Sequence, residues 1–184
     1  INLGYRLHYL MEYPHGCIEQ TTSAAFPQLY LDVVKKLSDG EKKRTRSNVT
    51  KAIERIKTFI TTDGGFAYWP GGVEADSWGT TYAGHFLMEA ESKGYYVPAD
   101  MMKRWKKYQR NQALAWRRTS YKQSYAYHAS PLDQAYRLYT LALGNAAELG
   151  AMNRLREMAD ISNEARWMLA AAYIKAGQTE AAGK

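Results

Sequence analysis

Apolar residues in this chain recur at helical spacing from one end to the other. Leu3, Leu7, Leu10 and Met11 share one face until Pro14, whose ring disfavours helix in the residue before it. Phe26, Leu29, Tyr30, Val33 and Leu37 form a second stripe, with Pro27 in its first turn and Asp39-Gly40 as its stop. Val49, Ile53, Ile56 and Phe59 form a third. A Gly-rich loop follows, DGGFAYWPGG (63–72). Beyond it a helix is predicted through Tyr82, Phe86 and Ala90 to Gly94, and another past Pro98 through Met102, Trp105 and Tyr108. Ser130 as N-cap, Pro131 at the first helical position and Asp133 in the first turn open a helix through Ala135, Leu138, Tyr139 and Ala142 to Gly144. Two more stripes follow: Leu149, Met152 and Leu155, then Ala165, Leu169, Ala172 and Tyr173 before Gly177. Strand-like alternation is nearly absent. The class is all-α, built from antiparallel helix pairs.

The pairs are weakly alike. TTYAGHFLMEAESKG, DQAYRLYTLALGNA and EARWMLAAAYIKAG each set an aromatic early, small residues midway and a glycine late. Helix pairs of one design bury their stripes by stacking side by side, in an open solenoid or a closed ring, and the pattern itself does not choose.

Length and composition narrow the function. A chain of 184 residues buries one real core, so one domain is expected. It begins with Ile1 rather than methionine, and residues 1–184 are expected to be a domain excised from a larger multidomain protein. The opening INLGYRLHYL, with Arg6 and His8 in an amphipathic pattern, does not read as a secretory leader, and no apolar run is long enough for a membrane helix. The net charge of +7 gathers in Lys42-Lys43-Arg44-Thr45-Arg46 and Lys103-Arg104-Trp105-Lys106-Lys107. No recognition motif for nucleic acid accompanies these runs, which read as solvated helix faces. One cysteine excludes an internal disulfide and a cysteine-based zinc site, and the scattered histidines make no ligand set, so neither metal nor cofactor is expected.

That cysteine, Cys17, lies in YPHGCIEQTTS (13–23). A lone cysteine in a helical protein is ordinarily an inert buried hydrophobe. Here Gln20 stands three residues on, where two side chains share one side of a helical turn. A Cys17 thiolate attacking the neutral Gln20 carboxamide, with loss of ammonia, would form an internal thioester. Gly16 allows a tight turn before the sulfur, Pro14 fixes its entry, and a helix N-terminus there would favour the thiolate.

PHGCIEQTTS resembles the thioester motif of the alpha-2-macroglobulin and complement superfamily, and most of all its bacterial members. DGGFAYWPGG with the helix from Trp78, and SYAYHASPLDQAYRLYTLALGNAAELGAMNRLRE, resemble later parts of the same domain, so the likeness covers most of the chain. The resemblance implies an α/α toroid, incomplete here because the family domain is longer. It also implies single-turnover acyl transfer rather than enzyme turnover: a lysine amine of an attacking protease takes the Gln20 acyl group and frees Cys17. Glu19 would orient water or manage protons, or else accept hydrogen bonds from first-turn N–H groups. Tyr13 would help shield the bond. The implied partners are target proteases, bound covalently, and other domains of the parent chain, without insertion of this domain into a membrane. The implied address is periplasmic or cell-surface, with lipid anchorage through the parent.

Other chemistries fit less well. Some complement members use a distant histidine for transfer to hydroxyls, but His8, His15, His85 and His128 sit in no matching local motif, so amines are the expected acceptors. A cysteine protease would pair Cys17 with a far histidine and has no use for Gln20. Aromatic-glycine loops also occur in prenyltransferase and terpene-cyclase toroids, whose acidic clusters or zinc ligands are missing. Phe66, Tyr68 and Trp69 are therefore expected to plug the ring, with Gly64, Gly65, Gly71 and Gly72 bending the loop. The alternative from a different class is a non-covalent peptide-binding scaffold, since ARWMLAAAYIKAGQTEAA resembles a tetratricopeptide helix pair.

Overall fold

The structure is a computed structural model that describes residues 13–117 and 130–183. The predicted stripe from Leu3 to Met11, and with it His8 and His128, lies outside the described residues. Helices dominate: α1 (Ile18–Ala25), α2 (Leu31–Val34), α3 (Asp39–Ile56), α4 (Ser77–Ser92), α5 (Ala99–Ala115), α6 (Pro131–Leu143), α7 (Leu149–Arg156), α8 (Asn163–Lys175) and α9 (Thr179–Ala182). Short 3₁₀ turns occupy Phe26–Tyr30 and Lys57–Phe59. Among the described residues extended pairing is limited to two isolated bridges, Ile60 with Phe66 and Ala67 with Ala75. The all-α expectation holds.

Local chemistry explains most of the boundaries. Ser130 Oγ accepts the Asp133 N–H at 3.0 Å, and Pro131 fills the position whose N–H would have no partner, so α6 starts where the sequence says. Asp76 Oδ1 caps α4 through the Gly79 N–H at 2.6 Å, and Ser162 Oγ caps α8 through the Ala165 N–H at 3.3 Å.

The stripe from Phe26 to Leu37 is not one helix. It divides into the 3₁₀ turn and the short α2, and Val33 and Val34 are exposed. Asp39-Gly40, expected to stop a helix, instead lies inside the first turn of α3. Ser38-Asp39-Gly40-Glu41 is a capping box: Ser38 Oγ accepts the Glu41 N–H at 3.3 Å while Glu41 Oε2 accepts the Ser38 N–H at 2.8 Å. Two reciprocal bonds at an N-terminus outweigh the modest helix penalty of one glycine.

The chain divides into two compact units between Met102 and Lys103, within the span of α5. In the first, α1 packs against α3 and α4. Its fully buried side chains include Ile18, Ile53, Ile56, Phe59, Phe66 and Phe86. Phe26 meets Phe86 edge-on with ring centroids 5.8 Å apart. In the second unit α6 packs chiefly on α8, around Leu138, Leu141, Met152, Leu155 and Leu169. Both basic runs are largely solvated: Lys42, Lys43, Arg44 and Arg46 are exposed, as are Lys103 and Lys107.

Ser38→Ala is expected to cost roughly 0.5–2 kcal/mol, read as a lower urea midpoint at unchanged slope. Lys35 and the Ser38 N–H hold the Glu41 carboxyl down at about 2, from an ordinary 4.5. Its contribution to stability is therefore complete above pH 4.5 and is lost as the pH falls through the interval towards 2. Glu41→Gln should flatten that part of the stability–pH curve.

Candidate functional site: the Cys17–Gln20 turn

Cys17 is the N-cap of α1, with extended backbone (φ −71°, ψ 177°), and Gln20 is the third residue of the helix. The Gln20 side chain folds back so that its Oε1 accepts the Cys17 backbone N–H at 3.1 Å. The Cys17 side chain faces the Gln20 backbone N–H in return, closing a capping box in which sulfur, a weak acceptor, adds little. The sequence suggested two side chains leaning together inside a helical turn. The structure brings them together by a different device, the reciprocal cap at the helix entrance.

Gly16 makes this possible twice over. Its φ is +86°, a region that side chains rarely tolerate. A Cβ there would also stand 2.0 Å from Gln20 Oε1 and 2.9 Å from the Gln20 carboxamide carbon. The Gln20 amide thus lies directly on the Gly16 Cα. Cys17 is 2% exposed whereas Gln20 is exposed, so the sulfur sits inside and the acyl-bearing side chain outside.

Three neighbours fix the turn, none of which the sequence reading assigned to it. Arg55 on α3 donates from Nη2 to the Gly16 carbonyl at 2.7 Å and from Nε to Thr21 Oγ1 at 3.2 Å. Gly79 on α4 lets that helix close on Ile18, since a Cβ there would meet Ile18 Cγ2 at 2.4 Å. Tyr68 presents its carbonyl to the Ile18 N–H at 3.1 Å, partnering one of the donors that a helix start leaves open.

The Tyr68 phenol completes the site. Its hydroxyl points to Glu19 Oε2 at 3.5 Å, at the outer limit of hydrogen-bonding distance. Its pKa is pushed up to about 12 by the neighbouring Cys17 first, with desolvation and Glu19 adding to the rise. The expectation that Phe66, Tyr68 and Trp69 all act as buried plugs is correct only for Phe66. Phe66 is fully buried, held by Thr80 through both its N–H (2.9 Å) and its carbonyl (3.1 Å). Tyr68 and Trp69 are 41% and 57% exposed, because Tyr68 turns towards Cys17 rather than into the core.

Tyr13 lies at the mouth of the turn, half exposed, with Lys51 Nζ 5.3 Å from its ring centroid. His15 is exposed, its Nδ1 3.0 Å from the Tyr13 carbonyl. His85 is largely buried beside the Phe26 ring and 3.8 Å from Glu89, and burial lowers its pKa.

Residues 4–116 match the A-macroglobulin TED domain, more than half of the sequence. The chain belongs to that family. Over 109 residues it is 35% identical to the alpha-2-macroglobulin of Escherichia coli, covering 56% of this chain and 6% of that protein. A crystal structure of Salmonella alpha-2-macroglobulin reacted with methylamine superposes with a TM-score of 0.80 at 30% identity, over 100% of this chain and 12% of the other. A trypsin-activated Escherichia coli alpha-2-macroglobulin superposes with a TM-score of 0.77 at 29% identity, over 92% and 12%. This TED domain therefore spans about a tenth of these relatives. It has their α/α-toroid fold class and is of the bacterial alpha-2-macroglobulin type. The tetratricopeptide-like alternative is not favoured: ARWMLAAAYIKAGQTEAA forms α8 and α9, but within a chain whose superposition covers its whole length.

Gly16→Ala is expected to displace the Gln20 side chain and to destabilise the domain by about 1–3 kcal/mol, measured by urea unfolding. Arg55→Met, which keeps length but removes both donors, should raise amide exchange at Cys17 and Thr21 relative to the rest of α1.

Proposed function

We propose that Cys17 and Gln20 form an internal thioester that traps amine nucleophiles, and that the parent protein is a bacterial alpha-2-macroglobulin-type protease inhibitor. The observation that carries this is the Gln20 carboxamide held on Gly16 and against the Cys17 N–H, in a chain of the TED family. In formation, the Cys17 thiolate attacks the Gln20 carboxamide carbon, the C–N bond breaks, and ammonia leaves with the thiol proton. In trapping, an amine attacks the same carbon, the C–S bond breaks with its electrons on sulfur, and the amine's proton ends on the thiol. Each domain reacts once, so this is capture rather than enzyme turnover.

The burial pattern supports that direction of attack, since the Gln20 side chain meets solvent while the Cys17 sulfur does not. An amine rather than a hydroxyl acceptor agrees with the described histidines, for His85 is engaged by Phe26 and Glu89 and His15 points to the Tyr13 carbonyl. The Salmonella relative is described as reacted with methylamine and an Escherichia coli one as activated by trypsin. For this protein the corresponding partners are lysine side chains of attacking proteases and the neighbouring domains of its own parent chain. A periplasmic or cell-surface address, with lipid anchorage through the parent, is where such a trap would meet foreign proteases.

Intact mass of the freshly purified parent protein tests the proposal. It should be lighter by one ammonia than its sequence, with no titratable Cys17 thiol, and methylamine should add its own mass and release one thiol. Cys17→Ser and Gln20→Ala should each have full mass and take up no methylamine. A deficit that persists in either variant overturns the assignment, as does full mass with a free thiol in the unmodified protein.

A further inference from the structure

One chain of hydrogen bonds runs from α3 through the turn to the Gln20 side chain. Arg55 Nη2 donates to the Gly16 carbonyl at 2.7 Å, and the N–H of the same peptide unit, that of Cys17, donates to Gln20 Oε1 at 3.1 Å. The peptide is trans, so its carbonyl and N–H point in opposite directions, with the guanidinium on one side and the carboxamide on the other. A permanent cation bonded to the carbonyl draws electron density through the amide and makes its N–H a stronger donor.

Arg55 is itself held in place. Its Nε donates to Thr21 Oγ1 at 3.2 Å, and its Cζ lies 5.5 Å from the ring centroid of the fully buried Phe59. The bare Cα of Gly16 leaves the room that Oε1 needs on the opposite side, since a Cβ would stand 2.0 Å from that oxygen.

We infer that the Cys17 backbone N–H is the oxyanion-stabilising donor for chemistry at the Gln20 acyl carbon, and that Arg55 is a positioning residue that orients and polarises it through the Gly16 carbonyl. This deepens the thioester reading above and rests on it. In formation, attack by the Cys17 thiolate on the carboxamide carbon puts negative charge on Oε1 before ammonia leaves. In opening, an amine adds to the same carbon and charge gathers on the same oxygen. The C–S bond then breaks with its electron pair on Sγ, the carbonyl re-forms, and the proton lost by the amine ends on the thiol. In both directions the charge develops on the atom that already meets the Cys17 N–H, so the donor is in place before it is needed. Neighbouring polar groups are committed elsewhere: the Tyr68 carbonyl receives the Ile18 N–H, the Tyr68 hydroxyl points to Glu19, and His15 Nδ1 lies 3.0 Å from the Tyr13 carbonyl.

The experiment uses the parent protein with Arg55→Met, which keeps the stem and removes the charge and both donors, beside Arg55→Lys, which keeps the charge. Methylamine-driven thiol release should slow by about tenfold in Arg55→Met, less than the roughly hundredfold that follows outright loss of such a donor. Arg55→Lys should stay within about threefold of the unmodified protein. The second readout is the thioester carbonyl band in the infrared difference spectrum taken across methylamine addition. A weakened donor on Oε1 moves that band to higher wavenumber in Arg55→Met, and a role confined to stability does not move it. Opening of Arg55→Met at or above the unmodified rate overturns the inference, as does an unshifted band, or an Arg55→Lys variant as slow as Arg55→Met. If Arg55→Met accumulates no thioester, Arg55→Gln takes its place as the neutral counterpart of Arg55→Lys, with the same expectations. A parent protein without the ammonia deficit removes the thioester reading and this inference together. A deficit in the parent with every Arg55 variant opening normally removes this inference alone.

Discussion

The site depends on one contact, the Gln20 carboxamide lying on the bare Cα of Gly16. Without a side chain at that position, the backbone can turn through positive φ and Gln20 Oε1 can reach the Cys17 N–H. Everything nearby serves to keep that turn in place. Arg55 pins the Gly16 carbonyl from α3, Gly79 lets α4 close on Ile18, and the Tyr68 carbonyl takes a helix-start donor. Three sequence-distant segments thus converge on the stretch from Gly16 to Thr21. The convergence matters because a capping interaction by itself contributes only about 1 kcal/mol, too little to hold a reacting geometry without support from the surrounding packing.

The same arrangement assigns different tasks to adjacent residues. Cys17 faces inward and is nearly fully buried, Glu19 is half-buried beside a phenol, and Gln20 meets solvent. Helix geometry produces this division, since successive side chains at a helix start diverge by roughly a hundred degrees. Ile18 supplies the fourth direction, into the core, where it is fully buried. A polar motif is therefore fastened to the domain by its one large apolar member.

Features encoded within a few residues were legible in the sequence. The α6 start at Ser130-Pro131, the stripes of α4, α5, α6 and α8, and the Cys17–Gln20 proximity all follow from local spacing. The α3 start is locally encoded too, in Ser38 and Glu41, but Gly40 beside them carries the conventional signature of a helix stop. Arg55 and Tyr68 were of another kind. They reach the turn from 39 and about 50 positions away, and nothing in their own neighbourhoods distinguishes them from a helix-face cation or a loop aromatic. Their roles come from tertiary packing, which periodicity does not encode.

Under the proposed thioester chemistry, the inward sulfur and outward carboxamide have a consequence for what is left after reaction. Cargo joined at Gln20 in that chemistry would hang from an exposed side chain rather than sit inside the core. The liberated Cys17 thiol, on a residue 2% exposed to solvent, would have little contact with small oxidants and foreign disulfides. A spent domain of this geometry would resist cross-linking to bystanders even in an oxidising compartment, and would carry its captive as a single, discrete adduct.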